Sequence, residues 1–225
     1  MITFNEEKHT YTNELGELYI SVTTLIGKFK EPFDFKAIFA RNPNKYLGKE
    51  EYYLNLWKEG NDLSKTVGTS YHKRIEKYLL EGINEELPVH IQEFLDNRVK
   101  KVDFKCEQLY YSNLYKVAGT CDLRINNKDG TISLVDWKTN LKLYKKSYGN
   151  FKGVLSHLEA SKVNEYTIQL SIYALLVELS ENIKIKTLHI VWFDRENNKI
   201  DFIKVDYLKD LAKSVLEQAP SFLFF

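Results

Sequence analysis

The sequence predicts an α/β fold with a central mixed sheet flanked by helices, on the strength of three observations. Its 225 residues suit one domain with a substantial core and fall short of the length at which a chain splits in two. Apolar periodicity runs in the order helices, three strands, one helix, two strands, one helix, a pattern that layers helices on a sheet. The segments between the three consecutive strands carry turn chemistry, so those strands form an antiparallel meander.

Taken in order, HTYTNELGELYISV supplies two short strands around an Asn13–Gly16 turn and leads into an amphipathic helix over Val22–Phe29. Pro32 and Pro43 punctuate the next stretch. Glu50–Glu59 sets Tyr53, Leu54 and Trp57 at helical spacing, which suits core packing. Gly68–Gly82 starts like a loop and continues with Ile75, Tyr78 and Leu79 at helical spacing; Gly82 stands where a helix C-terminus favours glycine. His72 and Glu76, four residues apart, therefore share a helix face. A helix over Val89–Lys101 precedes strands at Phe104–Tyr111, Val117–Ile125 and Thr131–Lys138, with turns at Ser112-Asn113 and Asn126–Gly130. A helix over Val163–Leu179, strands Thr187–Phe193 and Lys199–Val205, and a helix from Leu208 complete the chain. The expected division is a hairpin and helical extension over 1–65, a core over 66–206, and a C-terminal helix with an apolar tail over 207–225.

Hydrophobic residues at 44% and charged residues at 28% are ordinary for a globular protein and exclude a disordered chain. No apolar run nears the roughly 18 residues that a membrane span needs, and MITFNEEKHTYT lacks the layout of a signal peptide, so a cytoplasmic protein is expected. Cys106 and Cys121 are too few for a disulfide framework or a four-cysteine zinc or iron–sulfur site, and two free thiols are expected. The net charge of +1 decides nothing about nucleic acid, because phosphate binding depends on where Lys and Arg sit.

A hairpin centred near Asp129 places Asp122 opposite Asp136. Two carboxylates so close repel, and a shared proton or a bound cation relieves them. Side chains alternate along a strand, so Asp136 and Lys138 emerge together on one side while Val135 and Trp137 point to the other. An isolated Asp-x-Lys is most often an ordinary surface ion pair. What sets this one apart is the facing acid, the apolar residues leading into both acids, and the His–Glu helix face before them. Hard oxygen ligands suit Mg²⁺, with Mn²⁺ as a substitute, and a lysine beside them stabilises charge on a phosphate or orients a water.

The motifs Gly68-Thr-Ser-Tyr-His72, Gly119-Thr-Cys-Asp122, Val135-Asp-Trp-Lys-Thr139 and Gln169-Leu-Ser-Ile-Tyr173 stand in the order found in RecB-like members of the PD-(D/E)XK nuclease superfamily. Together with Ser21-Val-Thr-Thr-Leu-Ile26 they make the chain similar to the mitochondrial genome maintenance exonucleases and their phage relatives over roughly residues 20–180. The resemblance implies a restriction-endonuclease-like core. It makes His72, Asp122, Asp136 and the Trp137 backbone carbonyl metal ligands, Lys138 the catalytic lysine, and Gln169 and Tyr173 a pair that supports the site and contacts DNA. Glu107 and Glu76 are further acidic candidates for the metal site. Cys121 replaces the proline of the superfamily name, and the four cysteines that build an iron–sulfur cluster in some relatives are missing, so no such cluster is expected.

The expected activity is that of a metal-dependent DNA exonuclease acting on single strands or DNA ends in replication, recombination or repair, in the cytoplasm of a bacterial host if the chain is of phage origin. The alternatives are a structure-specific endonuclease of the same fold and a non-catalytic DNA-binding recombination accessory protein. From Trp137 to Leu158 there is no acidic residue, and Lys142, Tyr144, Lys145, Lys146 and Tyr148, with Phe151 and Lys152, form an expected DNA-guiding loop. The apolar end Ser221–Phe225 is expected either to pack on the domain or to dock on a partner or second copy.

Overall fold

The computed structural model describes residues 2–5, 10–144 and 149–223. Lys145, Lys146 and Tyr148 of the expected DNA-guiding loop, and Phe224 and Phe225 of the apolar end, lie outside the described residues. Among the described residues, eight strands form one mixed sheet with helices on both faces. Strands β1 (Ile2–Asn5), β2 (Thr10–Asn13) and β3 (Leu18–Ser21) form an antiparallel N-terminal ribbon. The meander β4 (Asp103–Ser112), β5 (Val117–Asn126) and β6 (Ile132–Lys138) is antiparallel. Strand β7 (Ile185–Asp194) lies parallel to β6, and β8 (Lys199–Val205) closes antiparallel on β7.

Helices α1 (Val22–Lys28), α6 (Lys162–Glu181) and α7 (Lys209–Gln218) cover one face, with Leu25, Ile26, Leu170, Tyr173, Leu176 and Val215 buried against Ile132, Leu134 and Ile190. On the other face Ile75, Tyr78 and Leu79 of α4 (Glu50–Glu81) and Ile91 of α5 (Val89–Phe94) meet Leu123, Val135, Trp137 and Phe193. A single π-helical turn over Leu95–Val99 extends α5. The alternation of β6 is visible here: Ile132 and Leu134 join the first core, Val135 and Trp137 the second. Helix α6 is buried without interruption from Thr167 to Val177, as expected of a helix held between a sheet, α1 and α7. Ser161 caps its start through Asn164 N at 3.2 Å, and Asn182 ends it in the left-handed conformation.

Two irregularities of β5 position everything that follows. Its far edge pairs with β3 at Val117 and Ala118 and then with β6 from Leu123 to Asn126, leaving Gly119–Asp122 in the fork between them. The β4–β5 ladder is continuous except at Glu107, which faces Asp122 in the register and has φ +48°. Cys106 and Leu123 belong with the α4 face, whereas Tyr110 and Cys121 belong with the α6 face. The strand pair thus changes the face it presents at Glu107 and Asp122. A glutamate in the left-handed region costs on the order of 1–2 kcal/mol, a strain that the paired strands on either side sustain.

The helices between residues 35 and 81 depart from the sequence expectation. Where Pro32 and Pro43 suggested punctuation only, Asp34 caps a short α2 (Phe35–Arg41) through Ala37 N at 2.9 Å, and Pro43 opens α3 (Pro43–Tyr46) as a first-turn proline. The two helical segments expected around a loop at Gly68 are one helix of 32 residues. Gly60 and Gly68 each weaken a helix by about 1 kcal/mol relative to alanine, which gives the sequence its loop-like look. Gly68 lies where α4 crosses the end of β6, with Thr139 Oγ1 3.5 Å from the position a Cβ would take. The first half of α4 lies outside the two main cores. Its Tyr53 and Trp57 pack with Phe33, Phe35, Phe39 and Tyr46 in a satellite aromatic cluster. At the C-terminus, Phe222 meets Phe29 edge-on at 5.6 Å, so the described part of the apolar tail packs on its own domain.

Gly119 is required for space. A Cβ there would lie 2.6 Å from Tyr173 Cε1 and 3.0 Å from Val22 Cγ2, inside a fully packed region. Gly119→Ala is expected to lower stability by about 1–3 kcal/mol, the cost of overpacking a core. Urea unfolding at pH 7 reads this directly, and an unchanged midpoint would show that α6 is free to retreat from β5.

Candidate active site

The β5–β6 hairpin turns at Asn127–Gly130, where Asn127 N donates to Thr131 O at 2.9 Å and Gly130 takes φ +78°. Its register pairs Leu123 with Val135 and Asn126 with Ile132, so Asp122 and Asp136 are the next facing residues as the strands part. Both carboxylates are buried, Asp136 with only 1% of its surface exposed. Their environments differ. Asp122 Oδ2 accepts the Trp137 backbone N–H at 2.6 Å, and its Oδ1 lies 3.3 Å from His72 Nδ1. Asp136 Oδ2 lies 2.5 Å from Lys138 Nζ, off the direction of a good hydrogen bond, and Oδ1 accepts a long bond from Gln169 Nε2 at 3.4 Å.

His72 projects from α4 onto this pair. Its Nε2 is 3.1 Å from the Trp137 carbonyl while Nδ1 faces Asp122, so both ring nitrogens meet acceptors. Burial disfavours the imidazolium, but the Asp122 charge overrides it and lifts the His72 pKa to about 9. Burial likewise opposes the Asp122 carboxylate, and the His72 charge outweighs it, leaving Asp122 below its ordinary value. For Asp136 burial prevails over the Lys138 charge, and its pKa rises to about 6. Lys138 is buried too, yet the Asp136 and Asp122 charges raise its pKa above the ordinary lysine value.

Glu107 completes the cluster from β4. Its donor atoms and those of His72 and Asp122 all lie within 4.8 Å of one another, the spacing of a set that can hold a metal ion. Burial first, then the Asp122 charge, pushes its pKa up to about 7. The left-handed backbone at Glu107 interrupts the strand's regular conformation where it faces Asp122. Nothing in the sequence signals that twist, since glutamate is not a residue that favours it. Glu76 stands close enough to raise the pKa of Glu107 through its charge.

Gln169 also donates to Tyr173 Oη at 3.2 Å, so a polar pair from the buried helix α6 underlies Asp136. Sequence reasoning missed Tyr166, one turn before Gln169, whose ring lies 4.4 Å from Lys138 Nζ. Lys138 is thus held between a carboxylate and an aromatic face. The signal was available as Tyr166, Gln169 and Tyr173 at spacings of three and four on one helix. Of the expected DNA-guiding loop, Lys142 and Tyr144 are exposed, and Tyr144 donates to Asp201 at 3.0 Å and packs edge-on against Trp192. Phe151 is buried in the core, contrary to its expected place on a stacking surface. Cys106 and Cys121 are free thiols, as expected, with burial raising the pKa of each.

No protein-family model matches the chain, and no curated protein is similar to it in sequence. Solved structures resemble it at low identity, among them two described as exonucleases. One, described as a candidate exonuclease from Eubacterium rectale, has a TM-score of 0.43 and 14% identity over 91% of this chain and 80% of its own. The other, described as a phage-related exonuclease from Haemophilus somnus 129PT, has a TM-score of 0.39 and 13% identity over 92% and 94%. At this distance what the chain does has to come from its own site.

The charge cluster gives metal-free stability a definite pH dependence. His72 titrates near 9 when folded against 6.5 when unfolded, so its contribution is fully present below pH 6.5 and lost as pH rises to 9. Asp136 and Glu107 titrate near 6 and 7, above the usual carboxylate values, so the folded state binds more protons and stability falls as pH rises through about 4–7. In EDTA, the unfolding midpoint is expected to fall from pH 6.5 to 9, and Asp122→Asn is expected to flatten that fall. A midpoint that rises over this range, or the same slope in the variant, contradicts the His72–Asp122 pairing.

Proposed function

We propose that the chain is a divalent-metal-dependent nuclease of the RecB-like PD-(D/E)XK type, acting as an exonuclease on single-stranded DNA or DNA ends. One observation carries the reading: His72, Glu107 and Asp122 offer donor atoms within 4.8 Å of one another, beside a buried Asp136–Lys138 pair. The residues fit a hard cation. The donors are carboxylate oxygens with one imidazole, and Asp136 Oδ2, which lies nearest an ammonium, makes no well-directed hydrogen bond. His72, Asp122, Asp136 and the Trp137 carbonyl would hold the ion, with Glu107 as a further ligand and Glu76 near it. Mg²⁺ is the natural occupant, and Mn²⁺ its substitute.

Bound there, such an ion would supply positive charge for the scissile phosphate and lower the pKa of a water. The chain's own groups do the rest. Lys138 keeps an ammonium beside Asp136, where it neutralises charge developing on a phosphate oxygen and directs the attacking water. Gln169 and Tyr173 hold Asp136 from below and fix the direction its oxygens present. His72, whose Nδ1 faces Asp122 and whose Nε2 faces the Trp137 carbonyl, must release one ring proton before it can ligate, so ion binding competes with protons. No helix among the described residues is long and apolar enough to cross a membrane.

The test incubates wild type and Asp136→Asn with end-labelled linear and closed circular single-stranded DNA in Mg²⁺ and in EDTA. Wild type is expected to shorten the linear strand from its end only with Mg²⁺, to spare the circle, and to lose roughly 10²-fold or more in rate in Asp136→Asn. Cutting of the circle replaces the exonuclease with an endonuclease. DNA binding without any cleavage favours the accessory protein. Independently of activity, Mn²⁺ is expected to raise the thermal midpoint more at pH 8 than at pH 6, and not in Asp122→Ala.

A further inference from the structure

Helix α4 carries a second feature that the active-site reading leaves unused. On the flank of the helix beside His72, Lys65, Thr66, Thr69, Ser70, Lys73, Arg74 and Lys77 line a groove of about 640 Å³, with Glu85 at its far end. The stretch Leu63–Ile75 contains no acidic residue, while its groove side combines three cations with three hydroxyls. Ser64 and Thr66 turn their hydroxyls back onto carbonyls four residues earlier, but Thr69 and Ser70 make no such bond. Lysine and arginine neutralise phosphates, and Ser and Thr hydroxyls donate to phosphate oxygens, so this mixture suits a polyphosphate backbone and reads no base.

The geometry couples the groove to the site. Thr69 and Lys73 lie about 60° and 100° around the helix from His72 in the same sense, so they border one side of the residue that points at Asp122. From Lys65 to Lys77 the groove follows about 18 Å of helix axis, several steps of a strand whose charges repeat at ~3.4 Å in duplex form. Among the described residues, acids meet it at Lys65, Arg74 and Lys77. Glu85 pairs with Lys77 and the exposed Glu86 lies 3.6 Å from Arg74, both from the loop after α4, while Asp62 approaches Lys65 at 3.9 Å. Lys65 stays 81% exposed despite that contact.

We infer that this flank of α4 is the track on which a single nucleic-acid strand lays its phosphates as it passes His72. The inference rests on the nuclease reading and names the surface that the reading lacks. It places a backbone contact on the helix before the β5–β6 hairpin, besides the expected loop after Lys138.

The test is fluorescence anisotropy of an end-labelled oligo-dT in EDTA, where no metal-dependent cleavage occurs, across a series of salt concentrations. It compares wild type, Lys65→Ala/Lys73→Ala, Lys142→Ala/Tyr144→Ala, and Lys186→Ala/Lys213→Ala as a control for lost surface charge. All five lysines and Tyr144 are exposed, so each variant keeps the core intact. The α4 pair is expected to weaken binding about 10- to 30-fold near 0.1 M salt and to reduce the salt slope by roughly 1.4, two single-strand phosphate contacts. The control is expected to match wild type. Unchanged affinity and slope in the α4 pair, a loss confined to the Lys142/Tyr144 pair, an equal loss in the control, or no binding by wild type each overturns the inference. If wild type cleaves DNA while the α4 pair binds as tightly as wild type, only the groove falls and the metal-site reading stands.

Discussion

Two carboxylates face each other where β5 and β6 part, and the rest of the site is arranged around the cost of that placement. Asp122 and Asp136 are both buried, so neither can rely on water to carry its charge. Each is compensated from a different side. Asp122 takes the imidazole of His72 and the Trp137 N–H, and Asp136 takes the ammonium of Lys138 and the amide of Gln169. These compensators come from α4, β6 and α6, so the helices on both faces of the sheet are tied to the same pair of acids.

The sheet itself prepares the position. Because β3 and β6 share one edge of β5, Gly119–Asp122 lies in the fork between them without a strand partner on that side. The absence of a side chain at Gly119 lets Tyr173 approach, and Tyr173 in turn holds Gln169 under Asp136. On the other edge Glu107 breaks the regularity of β4 opposite Asp122, and the strand pair changes face there. A regular strand pair would continue presenting the same face and give Glu107 no reason to join His72 and Asp122. The strained residue and the metal-sized cluster are therefore one feature.

What could be seen in the sequence was what local rules decide. The Asn126–Gly130 turn sets the register of its hairpin, and from that register alone Asp122 falls opposite Asp136. Alternation in β6 separates Asp136 from Trp137, and apolar periodicity finds α6 to within two residues at each end. The parts that stayed hidden depend on non-local packing or on rare backbone. The continuity of α4 through Gly60 and Gly68 runs against intrinsic propensity. The short α2 and α3 exist through an aromatic cluster that only α4 completes, and β1 pairs with β2 across residues 6–9, which lie outside the described residues. Glu107 required a left-handed strand residue, which no pattern of glutamates announces.

The uneven burial of α4 follows from the same division. Its second half packs Ile75, Tyr78 and Leu79 on the sheet, and this anchors His72 against Asp122. Its first half leaves the sheet, supported by aromatic contacts to α2 and α3, and keeps its polar flank in solvent. A helix that served only to hold a ligand would need little beyond its second half. The additional turns lengthen a solvent-facing flank that runs past His72, and the helix itself carries no acidic residue over Leu63–Ile75. On the proposed reading, rigid attachment at one end and a basic flank extending from it would let one element fix both the chemistry at Asp122 and the approach of a charged strand to it.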